Sequence, residues 1–373
     1  MFIDRRYRGR RRRSPWVMMV LLIPVAVGIY FLATRTRFFE NPFSPLRPTP
    51  TPTRSAVSFL AEAEDYYAGG HWRDALKAYD QVSQLEPDND EAFRQQAWLL
   101  IHLGHPAEAV GKAQQAADLK PTAQNLAILA MALDWSSRYE EAMEIALKAV
   151  DTDPLSAEAH AVLAEVYGDR NNWNRALDEA QTAVKLDPNN AMAQRNLGYV
   201  LDLQGRHEEA LDALARAAEL APNLGYIYLT AGNAYLALED NEGMLAELEK
   251  AVAASPDSPV GYDALGHAAA LGGDPDRAIS LLKRAIELDP QYGLSYAHLG
   301  RVYYTQLNWE AAVENFLKAF DLGVKNEEFY YELGLAYAYL DDCANAVIWL
   351  QKSLDINPES LPAQQGLDRC AKG

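Results

Sequence analysis

The side chains best suited to chemistry in this chain are seven histidines and two cysteines. His71, His102, His105, His160, His207, His267 and His298 form no HExxH pattern, and none pairs with a cysteine at zinc spacing. His102 and His105 flank a helix end and could share a metal, but two histidines near a turn read as polar surface, so no metal site is expected. The run Glu86-Pro87-Asp88-Asn89-Asp90-Glu91 offers carboxylates to calcium yet lacks the glycine and spacing of an EF-hand loop. A proline-ended turn before an acidic helix start explains it better. No GxGxxG or GxxxxGK loop is present to cradle phosphate. The sequence therefore predicts no catalytic residue, no metal and no cofactor.

Charge divides the chain. Residues 1–55 hold eleven arginines against Asp4 and Glu40, a net +9, within a total of −18. The rest keeps 23 of the 34 basic and 50 of the 52 acidic residues, a net −27. An acidic body repels phosphate backbones, so nucleic acid is not an expected partner. A well-solvated surface accounts for the acidity. The 49% hydrophobic and 23% charged content is that of a folded protein.

Seven arginines between Arg5 and Arg13 precede an uncharged apolar run from Trp16 to Ala33. Eighteen helical residues span about 27 Å, close to the hydrocarbon thickness of a bilayer. Pro24 is tolerable in such a helix, and Trp16 and Tyr30 lie where rings favour the interface. The run is longer than a usual signal core and no small-x-small cleavage site follows, which favours an uncleaved anchor. Only Arg35 and Arg37 are basic immediately after it, so residues 1–15 are expected in the cytoplasm and the rest outside. Residues 34–55 include Pro42, Pro45, Pro48, Pro50 and Pro52, which predict an extended spacer.

Beyond residue 55 the sequence repeats. Pro87, Pro121, Pro154, Pro188, Pro222, Pro256, Pro290 and Pro358 fall at intervals of about 34 residues, with Val324 where one more is due. A period of this size predicts a solenoid in which each unit packs mainly on its neighbours. The eighth place of each unit is always small: Ala63, Ala97, Ala130 and Ala164, then Gly198, Gly232, Gly266, Gly300 and Gly334. The twentieth place is alanine from Ala75 to Ala346, with Met244 the exception. Small residues at matched places let two antiparallel helices approach, and the proline closes the second of them. Turn signals such as Gly69-Gly70, Gly104 and Asn171-Asn172 separate the pair.

This pattern resembles the tetratricopeptide repeat family. Leu197-Gly198 and Tyr296 with Leu299-Gly300-Tyr303 match its first-helix signature, and Ala278-Leu282-Ala285-Pro290 matches its second. The resemblance implies an all-α, right-handed solenoid of nine helix-turn-helix units over residues 56–360. Residues 361–373 then form a polar capping helix, and the whole is preceded by the single transmembrane helix at 16–33.

The resemblance also implies that first helices line a concave groove for protein or peptide ligands. Carried over by place, that groove presents Trp98, His102, Trp135, Arg195, Tyr199, Tyr226, Asn233, Arg301, Tyr304, Tyr331 and Tyr339. Either these rings meet a partner or they stack on each other inside the superhelix. The clamp that grips a C-terminal carboxylate needs Lys and Asn where Arg94 and Trp98, or Ala127 and Met131, stand here, so that ligand class is not implied. The asparagine ladder of O-linked N-acetylglucosamine transferases is reduced to Asn196. Cys343 opens the last second helix and Cys370 lies late in the cap helix; antiparallel neighbours bring such ends together, which makes a disulfide possible outside the cytoplasm. The functional expectation is a non-enzymatic, membrane-anchored adaptor. The alternative is an accessory subunit that positions an envelope enzyme for glycan or cell-wall synthesis or for secretion.

Overall fold

The computed structural model describes residues 24–30 and 54–372. Residues 24–30 are helical and exposed. The rest of the apolar run, the basic segment and the proline-rich stretch up to residue 53 lie outside the described residues. Among the described residues no helix is long and apolar enough to cross a membrane. The chain divides into Met1–Arg54 and Ser55–Gly373.

The second unit is built of nineteen helices, and no strand occurs among the described residues. They are α1 (Ala56–Ala68), α2 (Trp72–Leu85), α3 (Asp90–His102), α4 (Pro106–Leu119), α5 (Ala123–Trp135), α6 (Tyr139–Thr152) and α7 (Ala157–Asp169). Next come α8 (Trp173–Leu186), α9 (Ala191–Leu203), α10 (His207–Leu220), α11 (Gly225–Ala237), α12 (Asn241–Ala254) and α13 (Pro259–Leu271). The array ends with α14 (Pro275–Leu288), α15 (Gly293–Thr305), α16 (Trp309–Asp321), α17 (Glu327–Tyr339), α18 (Cys343–Ile356) and α19 (Leu361–Lys372). Pairs α1–α2 to α17–α18 are the nine units, and α19 is the cap.

Local chemistry sets these boundaries. Side chains of Ser55, Asn89, Thr122, Ser156 and Asn190 accept a backbone N–H of the first turn of α1, α3, α5, α7 and α9. Each first helix is followed by one residue at positive φ: Gly70, Gly104, Ser137, Asn171, Gly205, Glu239, Gly273, Leu307 and Asp341. Five of these carry a side chain, so the turn tolerates one at a cost in strain. Eight of the nine second helices close ahead of the repeating proline, as α2 does at Leu85 before Pro87, whereas α16 ends at Asp321 with Val324 at that place.

Within a unit, volumes are complementary. A Cβ at Gly198 would lie 2.6 Å from Leu214 Cγ, and one at Gly334 would lie 2.6 Å from Leu350 Cγ. In units two to four, where the eighth place is alanine, the place of that leucine is also alanine: Ala113, Ala146 and Ala180, all fully buried. A small residue on one helix is thus matched by whichever size fills the gap on the other.

Neighbours dominate the packing. Odd-numbered helices also touch the next odd helix, closely from α5 to α9 and more loosely from α11 to α17, so they form the inner layer of a curved array. The curvature brings distant units together. Trp72 and Arg73 amides donate to the Asp257 carboxylate, and the Arg73 guanidinium donates to the Leu288 carbonyl. His105 Nε2 lies 2.5 Å from Asp289, and the Asn223 amide donates to the Ala68 carbonyl at 3.2 Å. Units one and two are therefore sealed against units five to seven along a seam. The 34-residue period gives no sign of it.

Candidate functional site

The inner face has two halves of different character. In the N-terminal half, four of the expected groove residues are buried: Trp98 is 6% exposed, His102 4%, Arg195 7% and Tyr226 6%. Tyr226 reaches across the seam and stacks on His102 at 4.3 Å between ring centroids, and Trp98 meets both rings edge-on. These residues fill the superhelix interior instead of facing solvent. The physical reason is the tight curvature, which places α11 against α3. Burial and the Arg195 charge push the His102 imidazole down to about 3, so this ring is neutral.

A polar ribbon runs beneath those rings. Trp135 Nε1 donates to Glu165 at 3.1 Å, and Arg195 donates to Glu165 at 2.9 Å and to the Thr230 hydroxyl at 3.0 Å. Asn196 donates to the Ala161 carbonyl at 2.7 Å and to Glu165 at 3.1 Å. Tyr199, half-buried, donates to Asp169. Beside it, burial and the nearby Asp169 and Glu165 carboxyls push Asp134 up to about 9, and burial raises Asp169 too. Burial and like charge both favour the neutral carboxyl over the carboxylate at Asp134. Trp135 and Tyr199 serve this ribbon, whose members lie about one repeat apart in sequence. The spacing from Trp135 to Glu165 to Arg195 was legible, but the sequence reading did not single out Glu165, Asp134 or Asp169. Beside Trp98 a cavity of about 430 Å³ opens, with Arg94, Gln124, Glu158 and Asn190 among its walls.

The C-terminal half is more open. Asn233 is exposed and lines a cavity of about 290 Å³ together with Leu236, Leu271, Asp263, His267 and His298. His267 and His298 stack face to face at 4.3 Å, and His298 Nδ1 is 3.0 Å from Asp263. Burial and its histidine neighbour push His267 down to about 4. Arg301 donates to Glu332 at 2.9 Å and to Glu328 at 2.7 Å, with Phe329 beneath its plane at 4.6 Å. Burial pushes Glu332 up to about 7 in spite of Arg301. Tyr304, Trp309 and Tyr339 form a ladder at 5.2 and 4.5 Å, with Arg369 of the cap over Tyr339 at 4.9 Å. Tyr339 is 42% exposed, and Tyr331 is half-buried. Asn233, Arg301, Tyr304, Tyr331 and Tyr339 thus remain at the surface or near it.

At the far end, Cys343 and Cys370 are bonded, with sulfurs 2.08 Å and Cα atoms 5.4 Å apart, which ties α19 to α18. No cluster of three metal-ligating side chains occurs among the described residues.

The tetratricopeptide repeat model matches residues 60–124, 162–224, 229–293 and 298–360. No curated sequence matches the chain. Among solved structures, it is similar to a chain of the APC/C hetero-tetramer Cut9–Hcn1 at a TM-score of 0.64 and 18% identity, over 84% of this chain and 63% of that one. It thus spans less than two thirds of that relative. It is also similar to the human IFIT1 dimer with m7Gppp-AAAA at a TM-score of 0.55 and 20% identity, over 85% of this chain and 80% of that one. Likenesses at this identity concern the fold alone. The matched segments cover more than half of the sequence and coincide with the helical pairs, so the chain belongs to the tetratricopeptide repeat family.

Proposed function

We propose that this chain is a non-enzymatic scaffold, held at a membrane by residues 16–33, that binds protein or peptide ligands on the inner face of units six to nine. The observation that carries the reading is the contrast between the halves of that face. In the first half the rings are consumed by self-contact. In the second, Asn233, Tyr331, Tyr339 and an apolar-walled cavity stay accessible. Exposed aromatic rings and apolar-walled cavities are the material of interface hot spots.

The arginine asymmetry around residues 16–33 supports an anchor with the repeats outside the cytoplasm. The disulfide fits the same compartment, because such bonds persist in oxidising surroundings. An acidic body makes nucleic acid an unfavourable partner on charge.

The test is selection of displayed random peptides on the full chain in detergent, followed by Asn233→Ala with Tyr339→Ala. Selected peptides should bind at least tenfold more weakly to the variant, with unchanged circular dichroism. Equal binding would place the ligand elsewhere. Protease accessibility in sealed membranes tests the orientation, and digestion of the repeats from the cytoplasmic side would refute it.

A further inference from the structure

The seam encloses a polar site that no hydrogen bond of the protein satisfies. Trp72, His102, Tyr226, Ser255 and Ser258 are among the walls of a small space of about 10 Å³ where units one, two, six and seven meet. Trp72 Nε1, both ring nitrogens of His102 and Ser255 Oγ make no hydrogen bond to protein. All three residues are at least nine-tenths buried, at 1%, 4% and 2% exposure. A buried group left unsatisfied in this way is costly to the fold. Their gathering around one space calls for a shared partner.

We infer that this site binds a single structural water that bridges Trp72, His102 and Ser255 and so joins the two sides of the seam. Size and chemistry both select it. A space of about one probe sphere holds one water, and a buried water typically makes about three hydrogen bonds. Trp72 Nε1–H only donates, which excludes a bare cation and requires an acceptor. The imidazole of His102 is neutral, so it offers one donor and one acceptor, and the Ser255 hydroxyl can act either way. A water accepts from Trp72, exchanges a hydrogen bond with Ser255, and donates to or accepts from His102 according to its tautomer. It thereby fixes the ring on which Tyr226 stacks.

Two measurements test this. A crystal structure of the full chain, at a resolution that shows ordered solvent, should contain one peak within about 3.2 Å of Trp72 Nε1, a His102 nitrogen and Ser255 Oγ. No peak, or one that contacts fewer than two of these atoms, overturns the inference. A double-mutant cycle of His102→Phe and Ser255→Ala, read from urea midpoints, should be non-additive, because both residues act through one molecule without bonding each other. Additive midpoint shifts would count against a shared water. If the variants do not fold, the crystal structure of the native chain still decides.

Discussion

Asp257 caps the helix that begins at Trp72: its carboxylate accepts the Trp72 amide at 3.1 Å and the Arg73 amide at 2.9 Å from 184 residues downstream of Arg73. The residue that precedes this helix, His71, makes no side-chain cap hydrogen bond. A local task, satisfying orphan amides at a helix start, is thus done by a remote unit, which couples the second helix of unit one to closure of the superhelix. Loss of the cap in Asp257→Ala should cost about 1–2 kcal/mol and expose the amides of residues 72 and 73 to hydrogen exchange.

The seam also distinguishes two glycines. Gly70 and Gly273 occupy the same place in their units and both have positive φ. A Cβ at Gly70 would collide with the Ala254 carbonyl oxygen, whereas one at Gly273 would meet nothing within 4 Å. Gly273→Ala should cost only the backbone strain that Ser137 and Leu307 already bear, about 1 kcal/mol. Gly70→Ala should cost clearly more, because backbone must move. Comparable denaturation midpoints for the two variants would mean the seam is not closed in solution.

Burial of Trp98 changes what its removal reports. Trp98→Ala should destabilise the array by about 3–5 kcal/mol, the usual cost of deleting a buried large ring. A groove residue facing solvent would instead lose ligand affinity at constant stability, so a Trp98→Ala variant with native unfolding behaviour would contradict the packing described.

The carboxyl pair gives a pH dependence of definite sign. Asp134 is raised to about 9 in the folded chain, well above its ordinary value of 3.8. The folded state then holds a proton that the unfolded state releases, so stability from this group is complete below about pH 4 and lost as pH rises towards 9. Asp134→Asn should be more stable than the native chain at pH 8 and equal or weaker at pH 4. The reverse order in urea titrations would refute the raised Asp134 carboxyl.

The disulfide closes a loop 27 residues long. In the chain-entropy model its loss costs about 3–4 kcal/mol, concentrated in the last unit and cap. Reduction, or Cys370→Ser, should raise hydrogen exchange in α19 and the C-terminal turns of the array while leaving α1 to α9 unchanged, since stability in a solenoid is local.

Much of this architecture was written in the chain. The 34-residue period, the small eighth and twentieth places and the repeating proline predicted helix pairs, their boundaries and their stacking, because each unit packs mainly on its neighbour and nearest-neighbour packing is a local property. The meeting of Cys343 with Cys370 followed from the same antiparallel geometry. Curvature was not written there. Small rotations between units accumulate, and their sum decides whether Trp98, His102 and Tyr226 face a ligand or one another. Only the tertiary structure could bring Asp257 to Trp72 and His105 to Asp289, because no periodicity relates residues that meet after a turn of the superhelix.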